Sequence, residues 1–105
     1  MVRHRQHSVV ALGHFNDALQ WAHDVNAVLR RRGLTEGRVL VPGFGKVNSL
    51  IFEQEFPDHA TFRREQEAFL SDAEALAAWR KGTALIAPGT HPWDELEEDA
   101  PQRIT

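Results

Sequence analysis

Between residues 14 and 32, Phe15, Ala18, Leu19, Ala22, Asn26 and Leu29 recur at the spacing of one helix face, and Trp21, Val25 and Val28 widen the stripe. Gly33 follows as the natural stop, because glycine enters the left-handed conformation that closes a helix without a Cβ penalty. Arg30, Arg31 and Arg32 then fall in the last turn, where cations complement the helix dipole, which favours a structural role over a basic binding patch. Elsewhere the period changes to two. Residues 4–12 hold the β-rich run Ser8-Val9-Val10-Ala11-Leu12 closed by Gly13, and residues 38–41 form a short β-branched run. Pro42-Gly43-Phe44-Gly45 then reads as a hairpin turn into the longest strand, residues 46–56. On that strand Asn48, Leu50, Phe52, Gln54 and Phe56 share one face, and Val47, Ser49, Ile51, Glu53 and Glu55 the other.

Pro57-Asp58 opens the next helix with Asp58 as N-cap, and Phe62, Gln66, Phe69 and Leu70 fall on one stripe. Ser71-Asp72-Ala73-Glu74 reads as a capping box with Ser71 at the cap, so a third helix is expected over residues 72–85, burying Leu76, Ala77 and either Trp79 or Arg80. Residues 89–96 contain Pro92 and suit an edge strand. The order β-α-β-β-α(α)-β is the ferredoxin-like plan, an α+β fold with a four-stranded antiparallel sheet and helices on one face. Its central strand is partly apolar on both faces while the helices cover only one, so a second subunit packed sheet to sheet is expected. Residues 1–96 make one domain, and residues 97–105, acidic and then broken by Pro101, read as a solvated tail.

Length agrees with one domain: 105 residues bury roughly 65% of the unfolded surface. The net charge of −3 argues against a nucleic-acid partner, which would select a concentrated positive field. No cysteine is present, which removes thiolate catalysis, iron–sulfur ligation and cysteine zinc sites together. The basic start, followed only by the short apolar run Val9 to Leu12, matches neither a signal peptide nor a membrane span, so no membrane contact is expected and the cytoplasm is the default location.

The stretch Val47-Asn48-Ser49-Leu50-Ile51-Phe52-Glu53-Gln54-Glu55-Phe56-Pro57-Asp58, with Phe69-Leu70-Ser71-Asp72-Ala73-Glu74 and Ala78-Trp79-Arg80, resembles NIPSNAP-like proteins of the dimeric α/β-barrel superfamily. There a strand reading roughly apolar-Trp-Glu-x-Glu-aromatic-Pro-Ser leads into two consecutive helices. Phe52 stands here for the usual Trp and Asp58 for Ser. The resemblance implies two ferredoxin-like subunits forming a barrel, with a pocket between each sheet and its own helices. It also implies a range of activities, since the superfamily includes cofactor-free oxygenases and polyketide cyclases beside proteins of no known activity.

Placed on that plan, Trp21, Phe52 and Trp79 are expected to wall the pocket and Asn48 to orient the ligand. Glu53 and His7 are the candidate acid–base pair: each sits on a strand face beside an apolar neighbour, where burial would raise the carboxyl pKa. The competing reading of Glu53 is an ion pair with an arginine at the dimer interface. His4 and His7 alternate to opposite faces, so they do not form a metal site, and no metal or cofactor motif is found. Tyrosine is absent, which excludes phenol-assisted chemistry. The expected function is that of a small bacterial accessory enzyme. It would bind a hydrophobic, polyketide-like intermediate and promote cyclisation or cofactor-free oxidation. The alternative is a non-catalytic homodimeric binding module.

Overall fold

The structure, a computed structural model, describes residues 1–43 and 47–100. Among these, four strands and three α-helices follow in the order β1 (Val2–Val9), α1 (Phe15–Arg31), β2 (Arg38–Leu40), β3 (Ser49–Phe56), α2 (His59–Leu70), α3 (Ala73–Arg80) and β4 (Trp93–Glu98). A 3₁₀ turn over Lys81–Leu85 follows α3. The sheet order is β2-β3-β1-β4 and every pairing is antiparallel, so the ferredoxin-like expectation holds.

Helix α1 is built as its periodicity implies: Ala18, Ala22, Val25, Val28 and Leu29 are buried, and Gly33 closes the end at φ 68°. Its three terminal arginines serve the fold, Arg30 pairing with Glu36, Arg31 with Glu74 and Arg32 with Asp72. Asp58 caps α2, accepting from Thr61 N–H at 2.7 Å. The cap of α3 lies one residue beyond the expected Ser71. Asp72 accepts from Ala75 N–H at 2.9 Å, while Ser71 closes α2 through its own N–H to Glu67. A carboxylate is the stronger acceptor there, and it also receives Arg32 Nε at 2.6 Å. Helix α3 is correspondingly shorter than residues 72–85 and buries Ala75, with Ala77 exposed. The tightening into 3₁₀ coincides with Gly82, where an added Cβ would lie 2.8 Å from the Trp21 indole.

Strand boundaries differ from the sequence reading: β1 ends at Val9 rather than Leu12, β2 at Leu40 rather than Val41, and β4 begins at Trp93 rather than at residue 89. β1 starts two residues earlier, at Val2. β3 begins at Ser49 because Asn48 adopts a left-handed turn conformation, φ 61°. β4 runs through Glu97 and Glu98, which pair with Arg3 and Val2 and were expected in the tail. Phe44, Gly45 and Lys46 of the expected hairpin turn and strand start, and residues 101–105 of the tail, lie outside the described residues.

The helices cover one sheet face, over Val2, Ser8, Val10, Leu50, Phe52 and Phe56. Helix α2 has no buried residue, so it stands off from the sheet on Phe62 and Phe69 rather than packing flat. Among the described residues no helix is long and apolar enough to cross a membrane.

Candidate functional site

Alternation along β1 and β3 sorts the candidate residues onto two sides of the sheet. Phe52 faces the helices. There it meets Trp79 edge-on at 5.5 Å between ring centroids and Trp21 at 6.0 Å, while Trp21 and Trp79 lie 4.9 Å apart. Trp21 Nε1 donates to the carbonyls of Ala78 and Trp79 at 3.0 and 3.1 Å, so the polar end of the indole is satisfied and α1 is tied to α3.

This aromatic partition separates two cavities on the helix side. The first, of about 250 Å³, lies under α2 and is walled by Phe52, Phe56, Phe62, Phe69 and Trp79. The second, of about 430 Å³, lies between Trp21, Trp79 and the segment 82–92. Trp79 lines both, Phe52 only the first and Trp21 only the second.

Polar groups at the first cavity come from strands and from α2. His4 on β1 and Asp94 on β4 stand side by side, Nε2 to Oδ1 3.2 Å, and the His4 ring lies 5.7 Å from Phe62. Gln54 donates to Thr35 O at 2.8 Å. Glu65 accepts from Thr35 N–H and Oγ1 at 2.6 and 2.9 Å, which ties the loop after α1 to α2. Gln54, two residues from Phe52 on the same strand face, thus occupies the position expected of Asn48. Asn48 lines neither cavity, because the turn at its positive φ takes it out of the strand before β3 begins. His4 and Asp94 were missed as a pair because strand register, not spacing, brings them together: His4 faces Leu96, with Asp94 one diagonal step away.

The candidate acid–base pair Glu53 and His7 sits on the opposite, helix-free face. Glu53 is 2% exposed and both its oxygens are taken. Oε2 accepts from Arg5 Nε at 2.6 Å, and Oε1 from Arg38 Nη2 and Nε at 2.5 and 2.9 Å. Burial alone would raise its pKa. The hydrogen bonds from Arg38 and Arg5, with their charges, outweigh burial and hold the carboxyl below its ordinary value, opposite to what a general base requires. The expectation of a raised Glu53 pKa is therefore corrected, and the residue is ion-paired with Arg5 and Arg38 of its own chain. His7 stacks on Trp93, centroids 4.7 Å apart and planes 5° from parallel, and its Nε2 lies against Glu95. It is paired across β1 and β3 with Ile51, not Glu53, and neither residue lines the cavities on the helix side.

The sheet and its helices define a class of fold: a ferredoxin-like α+β domain, the fold shared with NIPSNAP-family and antibiotic biosynthesis monooxygenase structures. A NIPSNAP domain protein from Burkholderia xenovorans superposes with a TM-score of 0.74 at 14% identity, over 100% of both chains. A NIPSNAP family protein of unknown function from Agrobacterium tumefaciens gives 0.74 at 14% identity, over 98% of this chain and 91% of its own. An antibiotic biosynthesis monooxygenase gives 0.70 at 13% identity, over 96% and 100%. At these identities the likeness is one of fold. No family model matches the sequence, and no curated protein does.

Proposed function

We propose that the protein binds a hydrophobic, aromatic or polyketide-like small molecule in the cavity under α2 and promotes its cyclisation or cofactor-free oxidation by acid–base chemistry. The observation that carries this reading is the cavity itself: five aromatic rings surround about 250 Å³, with His4, Gln54 and Asp94 from the strands and Glu65 and Gln66 from α2 as its polar residues. Apolar walls with few convergent polar groups are what a small-molecule site requires. Phe52 and Trp79 are its walls, and Trp21 backs Trp79 from the adjoining cavity. The antibiotic biosynthesis monooxygenase of the same fold supports this chemistry by analogy.

The helix-free face suits a second copy of the chain. Its charges are already matched within the subunit, Arg5 and Arg38 with Glu53 and Arg3 with Asp99, so covering it leaves few of them unpaired. Leu40 and Ile51 pair across β2 and β3 on this face, and Trp93 is 49% exposed at its margin. Glu53 and His7 belong to this homodimer surface in our reading, and the working location is the cytoplasm.

The cavity is tested by tryptophan emission. A bicyclic aromatic ligand should quench it, Trp79→Phe should abolish most of the quenching, and Trp21→Phe should leave most of it. Loss with Trp21→Phe alone would move the ligand to the second cavity, and no saturable quenching at all would contradict the reading.

A further inference from the structure

We propose that His4 is the proton acceptor of the cavity under α2, that Asp94 positions it, and that the site takes benzylic ketones, whose acidic C–H lies between an aromatic ring and the carbonyl. This deepens the small-molecule reading above and rests on it. Nothing in the relatives' likeness assigns these residues a role. The inference comes from their placement, an imidazole and a carboxylate from neighbouring strands meeting at the rim of an aromatic chamber.

The geometry supplies the parts of a proton-transfer site. His4 projects to the helix side from the central strand β1, and its side chain keeps 23% of its surface exposed, so it is neither sealed in the core nor free in solvent. The Asp94 contact at 3.2 Å favours the tautomer with the proton on Nε2, which leaves the lone pair on Nδ1. Phe62 lies beside the ring, centroids 5.7 Å apart and planes tilted by 50°. Gln54 spends one amide hydrogen on Thr35 O and has a second with which to meet a carbonyl oxygen. In the step that follows, Nδ1 takes the proton from the carbon beside the carbonyl. The C–H electron pair moves into the new C=C bond, and the carbonyl oxygen takes the negative charge beside the Gln54 amide. The resulting imidazolium shares its charge with Asp94 and returns a proton to carbon, or the enolate attacks a second carbonyl of the same molecule, closing a ring, and the imidazolium gives its proton to the alkoxide that forms as that C=O π bond opens. No oxidant or metal is needed for either outcome.

The test uses 2-tetralone, a bicyclic benzylic ketone whose C1–H lies between the aromatic ring and the carbonyl, and the intact protein in D₂O. Deuterium entry at that carbon is followed by NMR beside quenching of tryptophan emission. The expected result is saturable exchange above the buffer rate. His4→Gln should reduce it by roughly 10²-fold or more while saturable quenching of tryptophan emission persists. Asp94→Asn should lower the maximal rate between roughly 10- and 10⁴-fold without raising the half-saturating concentration, the split expected of a positioning residue. Gln keeps the size of His4, and Asp94 lies on the exposed edge strand, so circular dichroism and melting should verify both folds. Quenching without exchange in the wild type, or exchange that survives His4→Gln, overturns the assignment while leaving the cavity in place. Absence of quenching overturns both.

Discussion

Glu53 shows how a carboxylate can be buried and still ionised. It is 2% exposed, yet three arginine nitrogens reach its two oxygens, and its pKa is held below the ordinary value of 4.5. A group whose folded pKa lies below its unfolded one stabilises the fold fully above the unfolded value, and the contribution is lost as pH falls through the folded value. Wild-type stability should therefore fall more steeply than that of Glu53→Gln between about pH 5 and pH 3, as read by urea denaturation across that range. At neutral pH the same substitution should cost about 2–3 kcal/mol. That is below the usual cost of breaking a buried pair, because Arg38 is mostly exposed and recovers its hydration. Ligand quenching should be unchanged. That the strand face would be polar at Glu53 was legible from alternation alone. The direction of the pKa was not, because it depends on Arg5 and Arg38 arriving from two other strands in register.

At the scale of elements, legibility followed the strength of the local signal. Helix α1 carries a full 3.6-residue stripe and a terminal Gly33, and it stands where the pattern puts it. Asp58 is the sole capping residue at the start of α2, and it caps. At the α2–α3 junction two adjacent residues, Ser71 and Asp72, are both cap-competent, and the choice falls to a tertiary contact, the Arg32 guanidinium on Asp72. The Asp72 carboxyl is held below its ordinary pKa first by the Ala75 N–H and then by that arginine. Asp72→Ala should consequently lower Tm by roughly 4–8 °C, whereas Ser71→Ala should leave it nearly unchanged, which differential scanning calorimetry resolves. The stand-off of α2 was not legible. Phe62 and Phe69 read as an ordinary core stripe, and only their contacts with Phe56 and Trp79 show that they prop the helix above a cavity.

For the whole molecule, the sheet's two faces divide the labour: an aromatic chamber under the helices, and a charge-matched surface with apolar margins opposite. Strand alternation was enough to assign Phe52 to the first and Glu53 to the second. It placed His7 away from His4 as well, but it could not pair His4 with Asp94, which are 90 residues apart. The open face predicts a dimer. Sedimentation equilibrium should give about twice 11.9 kDa, and Ile51→Asp should return the monomer mass with the circular dichroism spectrum retained. A wild-type monomer at all concentrations would remove the proposed interface. The helix-side chamber is tested most directly by a crystal structure with 2-tetralone bound. The ring system should lie between Phe52, Phe69 and Trp79, with its carbonyl side toward His4 and Gln54. Density for the ligand against His7 and Trp93 on the open face, or only among residues 82–92, would contradict it.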